Sequence, residues 1–212
     1  MLVSKIIEKA RFYAQVTASD PFFPDADALD TVNRAYRDIY ERIMQADDEF
    51  FVTEVTLDPT TFTTVRERVY DITLPADFYR LRNLVARSGT SENQLRRKDP
   101  NDINQAEGYR FHNNLLRIFT GTGYDSYRLE YYPVPHEYTA TTEDIVYPPA
   151  LEPLILAYQI AMDIAKVQGA DPTKHAEEYQ RLWARFEIAL RGRDSVHHQK
   201  VANVYRSTIV GW

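Results

Sequence analysis

Leu29-Asp30-Thr31-Val32-Asn33-Arg34-Ala35-Tyr36-Arg37-Asp38-Ile39-Tyr40-Glu41-Arg42-Ile43-Met44 decides the fold, because its apolar residues recur three and four apart. Leu29, Val32, Ala35, Tyr36, Ile39, Tyr40 and Ile43 share one side of a helix, the mark of a stripe buried against something else. The helix begins near Asp25 or Asp27, whose carboxylate can cap free amides. Upstream, Leu2, Ile6, Ala10 and Tyr13 place an earlier helix over residue 2 to about residue 18. Ser19-Asp20-Pro21-Phe22-Phe23-Pro24 breaks it, since proline lacks an amide donor and biases the preceding residue away from helix.

Downstream the period changes to two. Phe51, Thr53, Val55 and Leu57 alternate, Asp58-Pro59 turns, and Val65 to Ile72 alternates again, which predicts a β-hairpin. Leu74 to Leu81 predicts a short helical turn, followed by extended chain from Leu81 to Val85. Ser88 to Glu107 is charged and aperiodic, an expected interaction loop. Tyr109 to His112 and Leu115 to Phe119 flank a two-residue Asn113-Asn114 turn, and Tyr127 to Tyr132 completes one small antiparallel sheet. Gly121-Thr122-Gly123 reads as a further hairpin turn.

Helix returns after Pro148-Pro149. Leu151, Leu154, Ile155, Tyr158, Met162 and Ala165 form a third stripe ended by Gly169. Asp171-Pro172 starts a fourth helix with Tyr179, Leu182, Trp183, Phe186 and Leu190 on one face, closed by Gly192. The expected class is α+β: mainly a helical bundle of two helix pairs, one–two and three–four, with an inserted small antiparallel β-sheet subdomain and an extended carboxyl-terminal arm. The boundaries are 1–48, 49–148, 149–192 and 193–212.

The arm ends on Ile209-Val210-Gly211-Trp212, apolar surface that water covers poorly. Either it folds back on its own bundle or it docks on a neighbouring chain. Docking through Val201, Val204, Tyr205, Ile209, Val210 and Trp212 is the reading adopted, with strand addition as its mode.

Hydrophobic residues at 44% and charged residues at 26% point to a folded chain, and the absence of cysteine excludes thiolate chemistry and disulfides. No signal peptide or membrane span is expected. No phosphate-cradling glycine motif or nucleophile elbow occurs, and adjacent residues such as His197-His198 point apart. Glu177-Glu178 and Asp47-Asp48-Glu49 read as solvated charge. No catalytic residue, metal or cofactor is expected. A net charge of -6 argues against nucleic-acid binding. The one basic concentration, Arg80, Arg82, Arg96, Arg97 and Lys98 with Arg87, suits subunit or nucleic-acid contacts. Tyr131-Tyr132, Tyr138 and Tyr147 read as lining a core or subunit boundary rather than stacking on sugars.

The order of these pieces resembles the head-to-tail connector (portal adaptor) proteins of tailed bacteriophages. The resemblance is carried by Asp30 to Tyr40, Tyr70-Asp71-Ile72-Thr73-Leu74-Pro75-Ala76-Asp77-Phe78-Tyr79-Arg80-Leu81, Tyr127 to Pro135, and Tyr147-Pro148-Pro149-Ala150-Leu151-Glu152. It covers most of residues 25 to 190. It implies a dodecameric ring seated on the portal protein, contacts between neighbouring copies, and an arm that engages the portal. It also implies a tail or nozzle protein below, and a lumen through which DNA passes without specific binding. The place of action would be the virion neck, after assembly in the host cytoplasm, with no membrane partner. The alternatives are another neck or tail completion protein, or a sugar- or nucleic-acid-binding module.

Overall fold

The three- and four-residue spacing from Leu29 to Met44 produces α2, Asp25–Gln45, which buries Ala28, Val32, Ala35, Tyr36, Ile39, Tyr40, Ile43 and Met44. The computed structural model describes residues 1–21, 23–46, 49–99, 107–112, 115–120 and 123–207, with the backbone alone given for 191–207. The chain divides into two units, a helical one made of Met1–Asp48 with Pro135–Trp212, and Glu49–Val134 between them.

In the helical unit α1, Val3–Ala14, stops short of residue 18 because Gln15 turns into the left-handed region, at φ 58°. The β-branched Val16 and Thr17 that follow are poor helix formers. Arg11 joins α1 to the start of α2: its guanidinium lies over Phe23 at 5.2 Å and donates to Asp25 Oδ1 at 2.6 Å. The free amides at the front of α1 find acceptors in the segment before the third helix, Val3 N–H on Glu143 O at 2.9 Å and Ser4 N–H on Thr141 O at 2.9 Å. Asn33 clamps the same segment, donating to Tyr138 O at 2.9 Å and accepting from Tyr138 N–H at 2.8 Å.

The third helix, α3, Leu154–Gln168, is apolar nearly all round and buries Ile155, Leu156, Ala157, Ile160, Ala161, Met162, Ile164 and Ala165. Such a helix must be covered on several sides. It packs on α1, α2 and α4: α3 and α4 are in contact as expected, while α1 packs more extensively on α3 than on α2. Gly169 ends it at φ 71°, as its position after the last apolar residue predicts. The fourth helix, α4, Thr173–Ser207, buries Tyr179, Leu182, Trp183 and Phe186. Arg42 of α2 lies over Trp183 at 4.1 Å.

Gly192 does not close α4, which runs through it to Ser207. One glycine costs a helix only about 1 kcal/mol relative to alanine, and no proline follows to stop it. The expected extended arm is therefore helical through Ser207, and Val201, Val204 and Tyr205 lie on a helix rather than a strand. Ile209, Val210 and Trp212 lie outside the described residues.

The intervening unit holds two four-stranded antiparallel sheets, not one. The first has the order β1, Thr53–Leu57; β8, Ser126–Pro133; β4, Phe78–Ser88; β5, Ser91–Gln94. The second has the order β2, Thr63–Arg66; β3, Val69–Thr73; β7, Leu115–Phe119; β6, Gly108–His112. The predicted hairpin between the alternating runs at 51–57 and 65–72 is absent. The second run is itself the hairpin β2–β3, while β1 pairs with β8, Val55 opposite Leu129. The expected helical turn before Leu81 is a tight turn, Phe78 N–H on Pro75 O at 3.0 Å, and β4 starts at Phe78. Part of the expected loop 88–107 is strand β5, paired with β4. The turn expected at Gly121-Thr122-Gly123 falls on Gly121 and Thr122, which lie outside the described residues. The β6–β7 hairpin has the expected register, His112 opposite Leu115. Ile72, Leu116 and Ile118 of the second sheet share one core with Leu84, Ala86, Leu129 and Tyr131 of the first. Each large aliphatic side chain so buried contributes roughly 1.5–3 kcal/mol.

Candidate interaction site

Because successive side chains on a strand alternate faces, packing Leu84 and Leu129 inward turns Arg87, Arg128 and Glu130 outward. On this face of the first sheet, Arg82 reaches Glu49 at 2.8 Å and Glu130 at 3.4 Å, and Arg87 reaches Glu92 at 2.8 Å. Arg128 contacts Glu92 at 3.1 Å, and its Nε lies 3.0 Å from Glu130, near enough for an ion pair although not aligned as a hydrogen bond. Three arginines thus face three glutamates. Arg80, on the same strand as Arg82, is exposed.

The second sheet's outward residues follow from Leu116 and Ile118 pointing inward. Asp71, Arg117 and Arg110 stand in one row across β3, β7 and β6. Arg117 donates to both oxygens of Asp71, from Nε at 2.6 Å and Nη2 at 2.8 Å, and this bidentate contact holds the Asp71 carboxyl below its ordinary range. Arg110, directly opposite Arg117, lies over the ring of Phe119 at 5.1 Å, and its buried Nε has no hydrogen-bond partner among the described residues. Lys98 lies over the same ring at 4.6 Å and is 8% exposed.

Lys98 comes to this face through a strap alongside β6: Lys98 N–H donates to Tyr109 O at 2.8 Å, and Tyr109 N–H donates to Arg96 O at 2.9 Å. Only glycine fits beneath it, because a Cβ on Gly108 would sit 2.6 Å from Arg96 O and 2.7 Å from Lys98 Cγ. The predicted basic group is thereby divided. Arg80 and Arg82 belong to the first sheet, while Arg96, Arg97 and Lys98 run beside the second. Arg110 and Arg117 were not among the residues singled out from sequence. Register arithmetic over the expected hairpin of residues 109–119 could have found them, since pairing His112 with Leu115 sets Arg110 opposite Arg117.

The tyrosines are built into the two units. Tyr131 and Tyr132 are each 2% exposed, and Tyr138 is 1% exposed. Burial and the hydrogen bond to Asp77 push the Tyr131 hydroxyl up to about 12. Tyr147 donates to Pro153 O at 3.1 Å. Glu178 pairs with Arg181 and Glu49 with Arg82, while Asp47 and Asp48 lie outside the described residues. Among the described residues no cluster of histidine and carboxylate side chains could hold a metal, and no helix is long and apolar enough to cross a membrane.

A family model described as SU10 adaptor protein matches residues 1–204. The chain belongs to the SU10 adaptor protein family. This is a family of phage head–tail adaptors, structural proteins and not an enzyme class. No curated protein matches the chain. The SU10 adaptor match takes in both units and extends the resemblance seen over 25 to 190 across almost the whole chain. It contains Arg80, Arg82, Arg96, Arg97 and Lys98, and it ends at Val204, before Tyr205, Ile209, Val210 and Trp212.

Proposed function

We propose that this SU10 adaptor protein forms a ring beneath the portal of a tailed phage, joins the capsid to the tail proteins below, and surrounds the DNA path. The observation that carries the reading is the match of a head–tail adaptor family over residues 1–204, which includes nearly all of α4. At about 1.5 Å per residue, the 35 residues of α4 outreach the 15 of its antiparallel neighbour α3. The last turns of α4 therefore have no counterpart in that hairpin, and they carry Val201, Val204 and Tyr205 at helical spacing. In this reading residues 193–212 engage the portal through those side chains together with Ile209, Val210 and Trp212. On the same reading the helical unit forms the body of each subunit, and Glu49–Val134 contact neighbouring copies. Twelve copies would close the ring in the neck of the virion after assembly in the host cytoplasm. The net charge of -6 supports a lumen that lets DNA slide, because a wall without excess cations displaces few condensed counterions.

The test is negative-stain imaging of the full chain mixed with the portal protein, beside a chain lacking Ser207 to Trp212. Rings on the portal with the first and loss of attachment with the second are expected. Full attachment of the shortened chain would overturn the docking role, and a densely basic lumen in the assembled ring would overturn the sliding argument.

A further inference from the structure

We propose that the outer face of the second sheet, centred on Arg110 beside Arg117 and Lys98, is a subunit contact that receives the aspartates at the start of α2 from a second copy of the chain. This rests on the reading that copies assemble side by side.

The four strands β2, β3, β7 and β6 contain a single acidic residue, Asp71, against Arg66, Arg110 and Arg117. Asp71 is already engaged at both oxygens by Arg117. Setting Arg110 directly opposite Arg117 is an unfavourable cross-strand pairing. Arg110 and Lys98 also lean on one ring, Phe119, and the Arg110 Nε is shut away from water without an acceptor among the described residues. A donor left in that condition costs free energy that an incoming anion would recover. On the first sheet Arg128 Nε is likewise buried without a hydrogen bond, but Glu130 Oε1 lies 3.0 Å from it as a counter-charge, and Arg82 and Arg87 also have glutamates beside them. An arginine set directly opposite another arginine, an arrangement found in the second sheet and not in the first, points to a partner rather than to folding.

The chemistry of that partner follows from the rest of the chain. With a net charge of -6 the protein as a whole repels a phosphate chain. Residues 12–33, in contrast, contain Asp20, Asp25, Asp27 and Asp30 and no lysine or arginine. Asp25 is held by Arg11. Asp27 and Asp30 are exposed, stand one helical turn apart, and make no ion pair among the described residues. A carboxylate pair of that spacing offers acceptors to Arg110.

The experiment is mass photometry of the full chain, with and without portal protein, at low salt. Arg110→Glu and the double variant Asp27→Lys, Asp30→Lys are each expected to weaken self-association at least about tenfold. Mixing the two variants in equal amounts, or combining all three substitutions in one chain, is expected to restore it. Thermal unfolding at the wild-type temperature checks that the variants fold, and Arg110→Gln serves if Arg110→Glu does not. Wild-type rings together with unimpaired Arg110→Glu assembly, or weakening that the charge swap fails to rescue, would overturn the contact while leaving the ring reading intact. Loss of duplex-DNA binding by fluorescence anisotropy, with assembly unchanged, would assign the face to phosphate and overturn it likewise. A wild-type chain that never assembles, even on portal, would remove the ring reading and this contact with it.

Discussion

On the outer face of β1-β8-β4-β5, Arg82, Arg87 and Arg128 meet Glu49, Glu92 and Glu130, whereas on that of β2-β3-β7-β6 Asp71 pairs with Arg117, and Arg110, opposite Arg117, lies over Phe119. The two sheets have the same strand number, the same antiparallel pairing and one common core. Architecture therefore does not dictate the charge on either face. The difference separates what the unit needs in order to fold from what it holds available for contact. A balanced network is satisfied by its own members and offers little to a partner. A partly desolvated arginine facing a like charge costs stability and remains available for binding.

The largest expected effect tests the part the sheets share. Leu116→Ala in the second sheet and Leu129→Ala in the first each empty a site that is 0% exposed, and each should cost about 2–5 kcal/mol. Urea unfolding followed by far-ultraviolet circular dichroism measures both. Equal losses support a common core. A loss confined to one of the two would mean that the sheets are stabilised separately and that the comparison of their outer faces has no common baseline.

Next comes the strap that brings Lys98 to its face. Gly108→Ala forces a Cβ to within 2.6 Å of Arg96 O, and displacing that backbone should cost about 1–3 kcal/mol. Amide exchange at Lys98 and Tyr109, whose N–H groups are bonded across the strap, should quicken. The control is Gly89 in the β4–β5 turn of the first sheet, where a Cβ meets nothing within 4 Å and the cost is the positive φ alone. Gly89→Ala should lose about 1 kcal/mol and leave the Lys98 amide untouched. If both variants behave alike, close approach at Gly108 is not what holds the cation in place.

How far this pattern was legible depends on the range of the interactions. Leu29 to Met44 and Gly169 were readable because a helix makes its hydrogen bonds within a few residues and its stripe recurs locally. Val55 alternates visibly, but nothing near it says that its partner is Leu129 rather than a residue of the next strand. β5, Ser-Glu-Asn-Gln, is exposed at every position on an edge, so it carries no apolar signal at all. Gly192 misled because a helical glycine and a stopping glycine look alike until the following turns are seen. Arg110 and Arg117 lie within one hairpin and were within reach of register arithmetic, while Asp71 joins them only through the non-local β3–β7 pairing.

The titration of Asp71 sharpens the electrostatic side. Hydrogen bonding to Arg117 places the folded-state value below the ordinary carboxylate value of about 3.9. The unfolded chain therefore binds the proton more readily. The stabilisation is complete above the ordinary range and is lost as the pH falls through the lower folded value. Arg117→Met should raise the Asp71 midpoint, read by NMR, and cost about 1–3 kcal/mol at neutral pH, because a mostly buried carboxylate loses its partner. An Asp71 midpoint that stays put would show that His112 and Arg110 suffice to hold the charge, and Arg110 would then be less in want of a partner carboxylate.

The smallest effect is expected from Arg82→Met on the first sheet. Glu49 is 78% exposed and returns to water, while Glu130 keeps Arg128 at 3.0 Å. Neither glutamate is stranded, so the loss should stay below about 1 kcal/mol and shrink further as salt is added. The contrast with Arg117→Met is the point of the measurement. One arginine has a substitute cation beside its carboxylate partner, and the other is the one cation hydrogen-bonded to its carboxylate among the described residues. A loss from Arg82→Met as large as that from Arg117→Met would mean that the balanced face is as strained as the unbalanced one, and the electrostatic ground for treating the second sheet as a contact surface would be gone.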